Sequence, residues 1–151
     1  MIPDPLSLPA LSPVLRVADA TKAIEFYTAV FGASERYRLT APNSGRIAHA
    51  ELQVGDSVLM LTQDSSVTSA APTSGIGWIQ LSLGVDNVDD AVDRATRAGC
   101  TILRPPADQF YGYRCANLRD PLGFEWMLWQ RIEHLTPAEM QERWNRLSSG
   151  Q

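Results

Sequence analysis

Hydrophobic and polar positions follow two different periods along the first part of the chain. Residues 13–17 favour a strand, and the apolar residues after them have the i, i+1, i+4, i+7 and i+8 spacing of an amphipathic helix. Asp19 is suited to cap this helix and Gly32 to end it. The helical apolar positions are Ala23, Ile24, Tyr27, Val30 and Phe31. The pattern then predicts three strands, over 34–39, 46–54 and 57–62.

The same order of elements returns after a polar segment. Residues 64–77 are small, polar and interrupted by Pro and Gly, which predicts an exposed linker. Beyond it, 78–83 favours a strand, Asn87 a helix cap and Gly99 a helix end. Gly32 and Gly99 are 67 positions apart, so we interpret the halves as one repeated β-α-β-β-β module. The last three predicted strands cover 100–103, 114–118 and 125–130.

A third helix is predicted at the end of the chain. Thr136 and Glu139 have the spacing of a capping box, and Pro137 is suited to the first helical position. The helix carries an apolar stripe that packs on the domain or on a partner, formed by Met140, Trp144 and Leu147. We therefore predict a single domain over 1–151, with module one over 13–63, the linker over 64–77, module two over 78–131 and the C-terminal helix over 136–148.

Composition and charge exclude several classes of protein. A chain of 151 residues and 16.6 kDa, 44% hydrophobic and 20% charged, has the size and composition of one globular domain. The net charge of −4 argues against a nucleic-acid partner. No apolar run reaches the roughly 20 residues that a membrane helix needs, and the start of the chain is unlike a signal peptide. Two cysteines are too few for a disulfide scaffold, so we expect a cytoplasmic protein with free thiols and no membrane partner.

Three stretches together resemble the glyoxalase/bleomycin-resistance/extradiol-dioxygenase superfamily, also called vicinal oxygen chelate. They are LRVAD with AIEFY and FG over 15–32, VDDA to AG over 88–99, and DPLGFEW over 120–126. The resemblance implies an α+β fold in which two βαβββ modules form an eight-stranded incomplete barrel around a concave cavity. The C-terminal helix is an addition to that plan.

The resemblance also implies where a metal would be bound. Metal enzymes of this family take four His, Gln or Glu ligands from the first and fourth strands of the two modules, and the matching positions here hold Ser12, Met60, Trp78 and Met127. A hydroxyl, two thioethers and an indole do not replace the imidazole or carboxylate ligands of a divalent cation. Gln63 and Gln130 are three residues beyond Met60 and Met127, an odd shift that turns them to the other face of their strands. We therefore predict no metal and no cofactor.

Strand alternation extends the lining of the expected cavity. It adds Val14 and Arg16, Val58 and Thr62, Gln80 and Ser82, and Glu125 and Trp129. An apolar, aromatic lining with few polar groups is typical of a small-molecule site. In the alternative, Met60, Trp78 and Met127 fill the barrel as core.

Charged residues near this lining allow two interpretations each. The arginine that matches Arg16 in glyoxalases reaches the glutathione moiety of the substrate, so Arg16 either binds an anionic ligand or forms a structural ion pair with Glu125. His49 and Glu51 share a strand face at i and i+2 and form either an acid–base pair or an exposed polar pair. His134 is expected at the surface.

The segment 108–114 is rich in aromatic residues. Phe110, Tyr111 and Tyr113 are suited to close one end of the cavity, and Arg114 to supply a cationic donor. In the alternative, this is a packed aromatic turn in which Arg114 bridges carboxylates. Cys115 is expected to be an inert buried thiol.

The leading hypothesis is a metal-free binding protein that resembles the bleomycin-resistance side of the superfamily, a homodimer that sequesters an aromatic or hydrophobic drug or metabolite. One alternative is a glyoxalase-like lyase, isomerase or dioxygenase that either depends on a metal or uses His49 and Glu51. Another is an interaction module without a pocket. The candidate ligand-binding residues are Arg16, His49, Glu51, Met60, Trp78, Gln80, Phe110, Tyr111, Arg114, Met127 and Trp129.

Overall fold

Two compact units of similar plan make up the chain. The computed structural model describes residues 6–66 and 79–150. One unit is Met1–Thr73 and the other is Ser74–Gln151. Each contains a four-stranded mixed sheet with a helix packed on one face. The α+β class and the repeated β-α-β-β-β order are thereby confirmed, whereas the union of both modules in one domain stays a prediction.

Unit 1 follows the predicted order closely. Its sheet has the strand order β1-β4-β3-β2, with β1 parallel to β4 and the other neighbours antiparallel. The sheet is open, because β1 and β2 lie at its edges. Its elements are β1 Val14–Val17, α1 Ala20–Phe31, β2 Ser34–Thr40, β3 Ile47–Val54 and β4 Ser57–Gln63.

Unit 2 repeats this arrangement and adds a helix. Its sheet has the order β5-β8-β7-β6, with β5 parallel to β8. Its elements are β5 Gln80–Gly84, α2 Val88–Arg97, β6 Thr101–Asp108, β7 Tyr113–Arg119, β8 Glu125–Arg131 and α3 Pro137–Ser148. Trp78, predicted to open the first strand, lies outside the described residues.

One strand of unit 2 is longer than predicted. The strand expected to end at residue 103 extends through Pro105 and Pro106 to Asp108. β6 tolerates prolines because it is an edge strand, where a missing N–H need not cost a ladder hydrogen bond. Its register with β7 shifts twice on the way, between Ile102 and Arg104 and again before Ala107.

The helix caps agree with the sequence. Asp19 accepts the N–H of Lys22 at 3.1 Å, and Thr136 forms the predicted capping box with Glu139. Gly32 ends α1 at φ 67°, a left-handed conformation that favours glycine. The C-cap residue of α2 is Ala98, one position before the predicted Gly99.

Two glutamines at equivalent positions tie each helix to its sheet. The side-chain oxygen of Gln63 accepts the N–H of Ala20 at 3.0 Å, and that of Gln130 accepts the N–H of Val88 at 3.1 Å. Both side chains therefore lie on the helix side of their strands, as the odd shift predicts. Helix starts leave such N–H groups without an intrahelical acceptor, so the glutamines stabilise both starts.

The cores lie between each sheet and its helix. Tyr27 is fully buried in unit 1, among Val17, Leu52 and Leu61, and Leu118 and Leu128 are fully buried in unit 2. Among the described helices, none is long and apolar enough to cross a bilayer. The opposite faces of the sheets carry candidates such as His49 and Glu51 in unit 1 and Met127 and Trp129 in unit 2, whereas Arg114 lies on the helix face of its sheet.

Candidate ligand-binding site

A cavity lies on the face of the unit 2 sheet that is turned away from α2. The pairing of the strands determines which residues share this face. Ser82 and Gly84 of β5 are paired with Met127 and Trp129 of β8. Trp129 is paired in turn with Cys115 of β7. The cavity has a volume of about 300 Å³, at the small end of the usual range for ligand sites. Its lining is mostly apolar and consists of Ser82, Tyr111, Tyr113, Cys115, Met127 and Trp129.

The indole of Trp129 is fitted between a glycine and a tyrosine. A Cβ at Gly84 would lie only 2.8 Å from Cζ2 of Trp129, so a side chain at that position would displace the ring. Tyr113 packs edge-on against Trp129 with ring centroids 5.3 Å apart. Arg131 lies over the Tyr113 ring at 5.4 Å and donates to its hydroxyl at 2.8 Å. The wall is therefore held in one orientation by contacts on several sides.

Tyr111 brings a polar contact to the cavity. Its hydroxyl lies 3.6 Å from Sγ of Cys115, whose side chain is buried. Burial, and then the contact with Cys115, raises the pKa of Tyr111 to about 12, so the hydroxyl keeps its proton at neutral pH. Outside this cavity, burial raises the pKa of the Cys100 thiol to about 12, with a further contribution from Asp120.

Arg114 does not line this cavity. Its guanidinium donates to both carboxylate oxygens of Asp89, at 2.7 and 2.9 Å, and to Asp108 at 2.8 Å. These hydrogen bonds raise the pKa of Arg114 above its ordinary value. The arrangement is the carboxylate bridge of the alternative interpretation, and it ties β7 to α2 and β6.

Gln80 and Phe110 also lie outside the lining. Gln80 is exposed and is paired with Glu125, whose carboxylate accepts from Arg119 at 2.9 Å. Phe110 packs against Tyr111 on one side and against α3 on the other. Of the candidates in unit 2, the structure brings Tyr111, Met127 and Trp129 together.

Unit 1 carries a buried charged cluster on the face of its sheet turned away from α1. The Glu51 side chain is 5% exposed; it accepts from the Tyr37 hydroxyl at 2.9 Å and lies 3.1 Å from Nη1 of Arg36. His49 approaches the same carboxylate at 3.8 Å, as expected for two residues on one strand face. Met60 is paired with Glu51 across β3 and β4. The hydrogen bond to Glu51 raises the pKa of Tyr37.

Arg36 and Tyr37 were not among the candidates from the sequence. The register of β2 against β3 shifts between Glu35 and Tyr37, so two consecutive residues of β2 oppose Glu51. In a regular strand, Arg36 and Tyr37 would point to opposite faces. The bulge allows both side chains to approach Glu51, and no local signal in the sequence indicates where the bulge lies.

Arg16 and Glu125 each have a different partner from the one proposed for them. Arg16 is paired with Asp64, and Glu125 with Arg119. Hydrogen bonds from the hydroxyl and the N–H of Ser66, and then from Arg16, lower the pKa of Asp64 to about 2. His134 is exposed, as expected.

The residues at the mapped metal positions do not fit a divalent cation. The hydroxyl of Ser12 donates to the carbonyl of Pro9, and Met60 and Met127 offer only thioethers. The carboxylate beside Met60, that of Glu51, is already engaged by Arg36 and Tyr37. Within residues 6–66 and 79–150, no group of three or more His, Cys, Asp or Glu side chains is arranged to hold a metal ion.

Comparison with known proteins places these features in context. The family profile described as Glyoxalase/Bleomycin resistance protein/Dioxygenase superfamily matches residues 10–128. The uncharacterized protein Mb0911c of Mycobacterium bovis is 37% identical over 138 residues, which cover 88% of this chain and 90% of that protein.

Two solved structures share the fold at similar levels of identity. TioX from Micromonospora sp. ML1 has a TM-score of 0.62 at 26% identity, covering 85% of this chain and 100% of that one. A mutant of glyoxalase I from Zea mays has a TM-score of 0.63 at 27% identity, covering 81% of this chain and 46% of that one.

Proposed function

Because this chain belongs to the glyoxalase/bleomycin resistance protein/dioxygenase superfamily, we propose that it is a binding protein of this fold and not a metal enzyme. It sequesters a small aromatic or hydrophobic molecule in the unit 2 cavity. The observation that carries the proposal is the place of Met127. The sequence resemblance matches this residue to a metal-ligand position of the family's metal enzymes, and here it is a wall of an apolar aromatic cavity.

The lining indicates the chemical class of the ligand. Trp129 and Tyr113 offer faces and edges against which a flat ring packs favourably, and Met127 adapts its shape to the ligand. Polar contacts are limited to the hydroxyls of Ser82, Tyr111 and Tyr113 and the thiol of Cys115. Since no charged side chain belongs to this lining, a neutral aromatic compound with one hydroxyl or carbonyl group fits best.

The test is isothermal titration calorimetry with 2-naphthol, indole and quinoline, three neutral two-ring aromatics. We expect the wild-type protein to bind at least one of them, and Ser82→Phe, which fills the cavity from β5, to weaken that binding at least about tenfold. Thr101→Phe is the matched control, because Thr101 is an exposed strand residue outside the lining. It should bind like wild type.

Two results would contradict the proposal. One is equal affinity in wild type and Ser82→Phe, which would place the binding elsewhere. The other is the absence of binding to all three compounds at millimolar concentration.

The proposal includes the partner and compartment expected from the sequence, a homodimer in the cytoplasm. Both cysteines are free and buried, which supports a reducing compartment. Sedimentation equilibrium measures the oligomeric state. A monomer at every concentration would contradict the homodimer but not the proposed ligand binding.

An acid–base enzyme is the second candidate, favoured by the 3.8 Å approach of His49 to Glu51. The same carboxylate is held by Arg36 and Tyr37, which leaves it poorly placed to take a proton from a substrate. A panel of hemithioacetals, epoxides and catechols, assayed with and without added metal, tests this candidate. Turnover that is lost in His49→Ala would favour it over the binding protein.

A further inference from the structure

α3 is anchored to the turn that carries one wall of the cavity. We infer that Arg143 and Trp144 are positioning residues for this cavity: by holding Phe110 they fix Tyr111 and Tyr113, and so set the affinity for a flat aromatic ligand. Neither residue belongs to the lining. The inference deepens the proposed function and rests on it for its ligand.

The turn between β6 and β7 is stabilised by backbone hydrogen bonds within the turn and to the segment that follows β8. The N–H of Gln109 donates to the carbonyl of Tyr113 at 2.7 Å, and the N–H of Gly112 donates to Gln109 at 3.1 Å. The carbonyl of Gly112 accepts from the N–H groups of Ile132 and Glu133, at 2.9 and 3.1 Å. Gly112 has a φ of 87°, and a Cβ there would lie 2.9 Å from the carbonyl oxygen of Glu133. The turn therefore lies directly against the segment that follows β8.

Arg143 of α3 binds both the turn and the segment that follows β8. Its Nη1 donates to the carbonyl of Phe110 at 3.1 Å and to Glu133 at 2.9 Å, and its Nη2 donates to the other carboxylate oxygen of Glu133 at 2.8 Å. A fork of this kind fixes orientation as well as distance. The hydrogen bond from Arg143 also holds the pKa of Glu133 below its ordinary value, so the pair is ionised at neutral pH. One guanidinium thus joins α3, the turn and the segment after β8.

A continuous run of aromatic contacts leads from α3 to the cavity. The ring of Trp144 lies 5.5 Å from that of Phe110, and Phe110 lies 5.1 Å from Tyr111. Tyr111 lies 5.8 Å from Tyr113, which packs 5.3 Å from Trp129. The last three rings are walls of the cavity. A displacement of Phe110 is therefore passed directly to rings that would contact the ligand.

The energetic consequence concerns preorganisation. With α3 docked, the tyrosines are already ordered, and the ligand does not have to order them when it binds. If the contacts of Arg143 and Trp144 are removed, part of the binding free energy is spent on fixing the turn. The affinity then falls although no lining residue has changed.

The experiment measures the dissociation constant of 2-naphthol by calorimetry, well below the unfolding temperature, for Arg143→Met and Trp144→Ala. We expect each to weaken binding about tenfold. Trp144→Phe keeps a ring against Phe110 and should recover most of the affinity. Gln141→Met is the matched control, because Gln141 is an exposed residue of the same helix and its side chain donates to Asn145 within α3.

A second readout does not depend on the ligand. In a Cys100→Ser background, the rate at which N-ethylmaleimide modifies Cys115 reports how closely Tyr111 covers the thiol, which is 6% exposed. We expect the rate to rise at least about fivefold in Arg143→Met and Trp144→Ala, since loss of the anchor opens the turn more often, and to stay unchanged in Gln141→Met.

The outcomes separate this inference from the proposed function. Unchanged affinity and unchanged Cys115 reactivity in both α3 variants would overturn the inference, even if their melting temperatures fall, because a purely structural helix would lower stability alone. If wild type binds no aromatic probe, the proposed function fails. The Cys115 rates then still decide whether α3 positions the turn.

Discussion

Replacing Asp120 with alanine is expected to lower the free energy of unfolding by at least about 3 kcal/mol. Asp120 is buried in the turn between β7 and β8. One carboxylate oxygen accepts the N–H groups of Leu122 and Phe124 at 2.9 and 3.0 Å, and the other accepts the indole N–H of Trp126 at 2.8 Å. Alanine would remove the acceptor from three donors, and the buried indole has no access to water.

Urea unfolding followed by circular dichroism measures this loss. Asp120→Asn keeps one oxygen for the backbone donors but faces the indole N–H with an amide group, so an intermediate loss of about 1.5 kcal/mol is expected. Asp86→Ala, at an exposed position before α2, should stay within about 0.5 kcal/mol of wild type. If Asp120→Ala is as stable as Asp86→Ala, the role assigned to this carboxylate is wrong.

Glu51→Ala is the second substitution with a large expected effect, a loss of about 3 kcal/mol or more. The variant would leave the guanidinium of Arg36, whose side chain is only 9% exposed, without its carboxylate. It would also remove the acceptor of the Tyr37 hydroxyl. A buried charge that loses its partner costs more than the pair contributes when intact.

A double-mutant cycle between positions 36 and 51 tests this explanation. Adding Arg36→Met to Glu51→Ala should recover part of the lost stability, giving a coupling of at least about 1.5 kcal/mol. Arg38→Met is the control on the same strand, because Arg38 is exposed and paired with Glu35, and it should cost less than about 1 kcal/mol. Simple additivity of the substitutions at 36 and 51 would refute the buried pair.

Most of the fold could be predicted from the sequence because local signals agree with one another. The caps at Asp19, Asn87 and Thr136 are each followed by helical apolar spacing, and the structure has a helix at all three places. Strand alternation also predicted which side chains share a face, such as His49 with Glu51. These features depend on neighbours within a few residues, which a single sequence contains.

The parts that failed depend on contacts between distant residues. The bulge that turns both Arg36 and Tyr37 toward Glu51 is a property of the register between β2 and β3. The pairing of Arg16 with Asp64 likewise depends on where β1 and β4 end beside each other. Cys115 is a buried thiol, as expected, but its place in the cavity lining also depends on such a pairing, that of β7 with Trp129 on β8.

The proposed function requires that an aromatic ligand be bound without the help of a metal ion. Calorimetry with 2-naphthol measures this most directly, on one protein preparation dialysed against EDTA and on portions of it supplied with zinc, nickel or manganese. We expect the same dissociation constant and stoichiometry in every portion, with no metal retained after dialysis into metal-free buffer. Retention of one ion per chain, together with ligand binding that appears only in the metal-loaded portion, would contradict it.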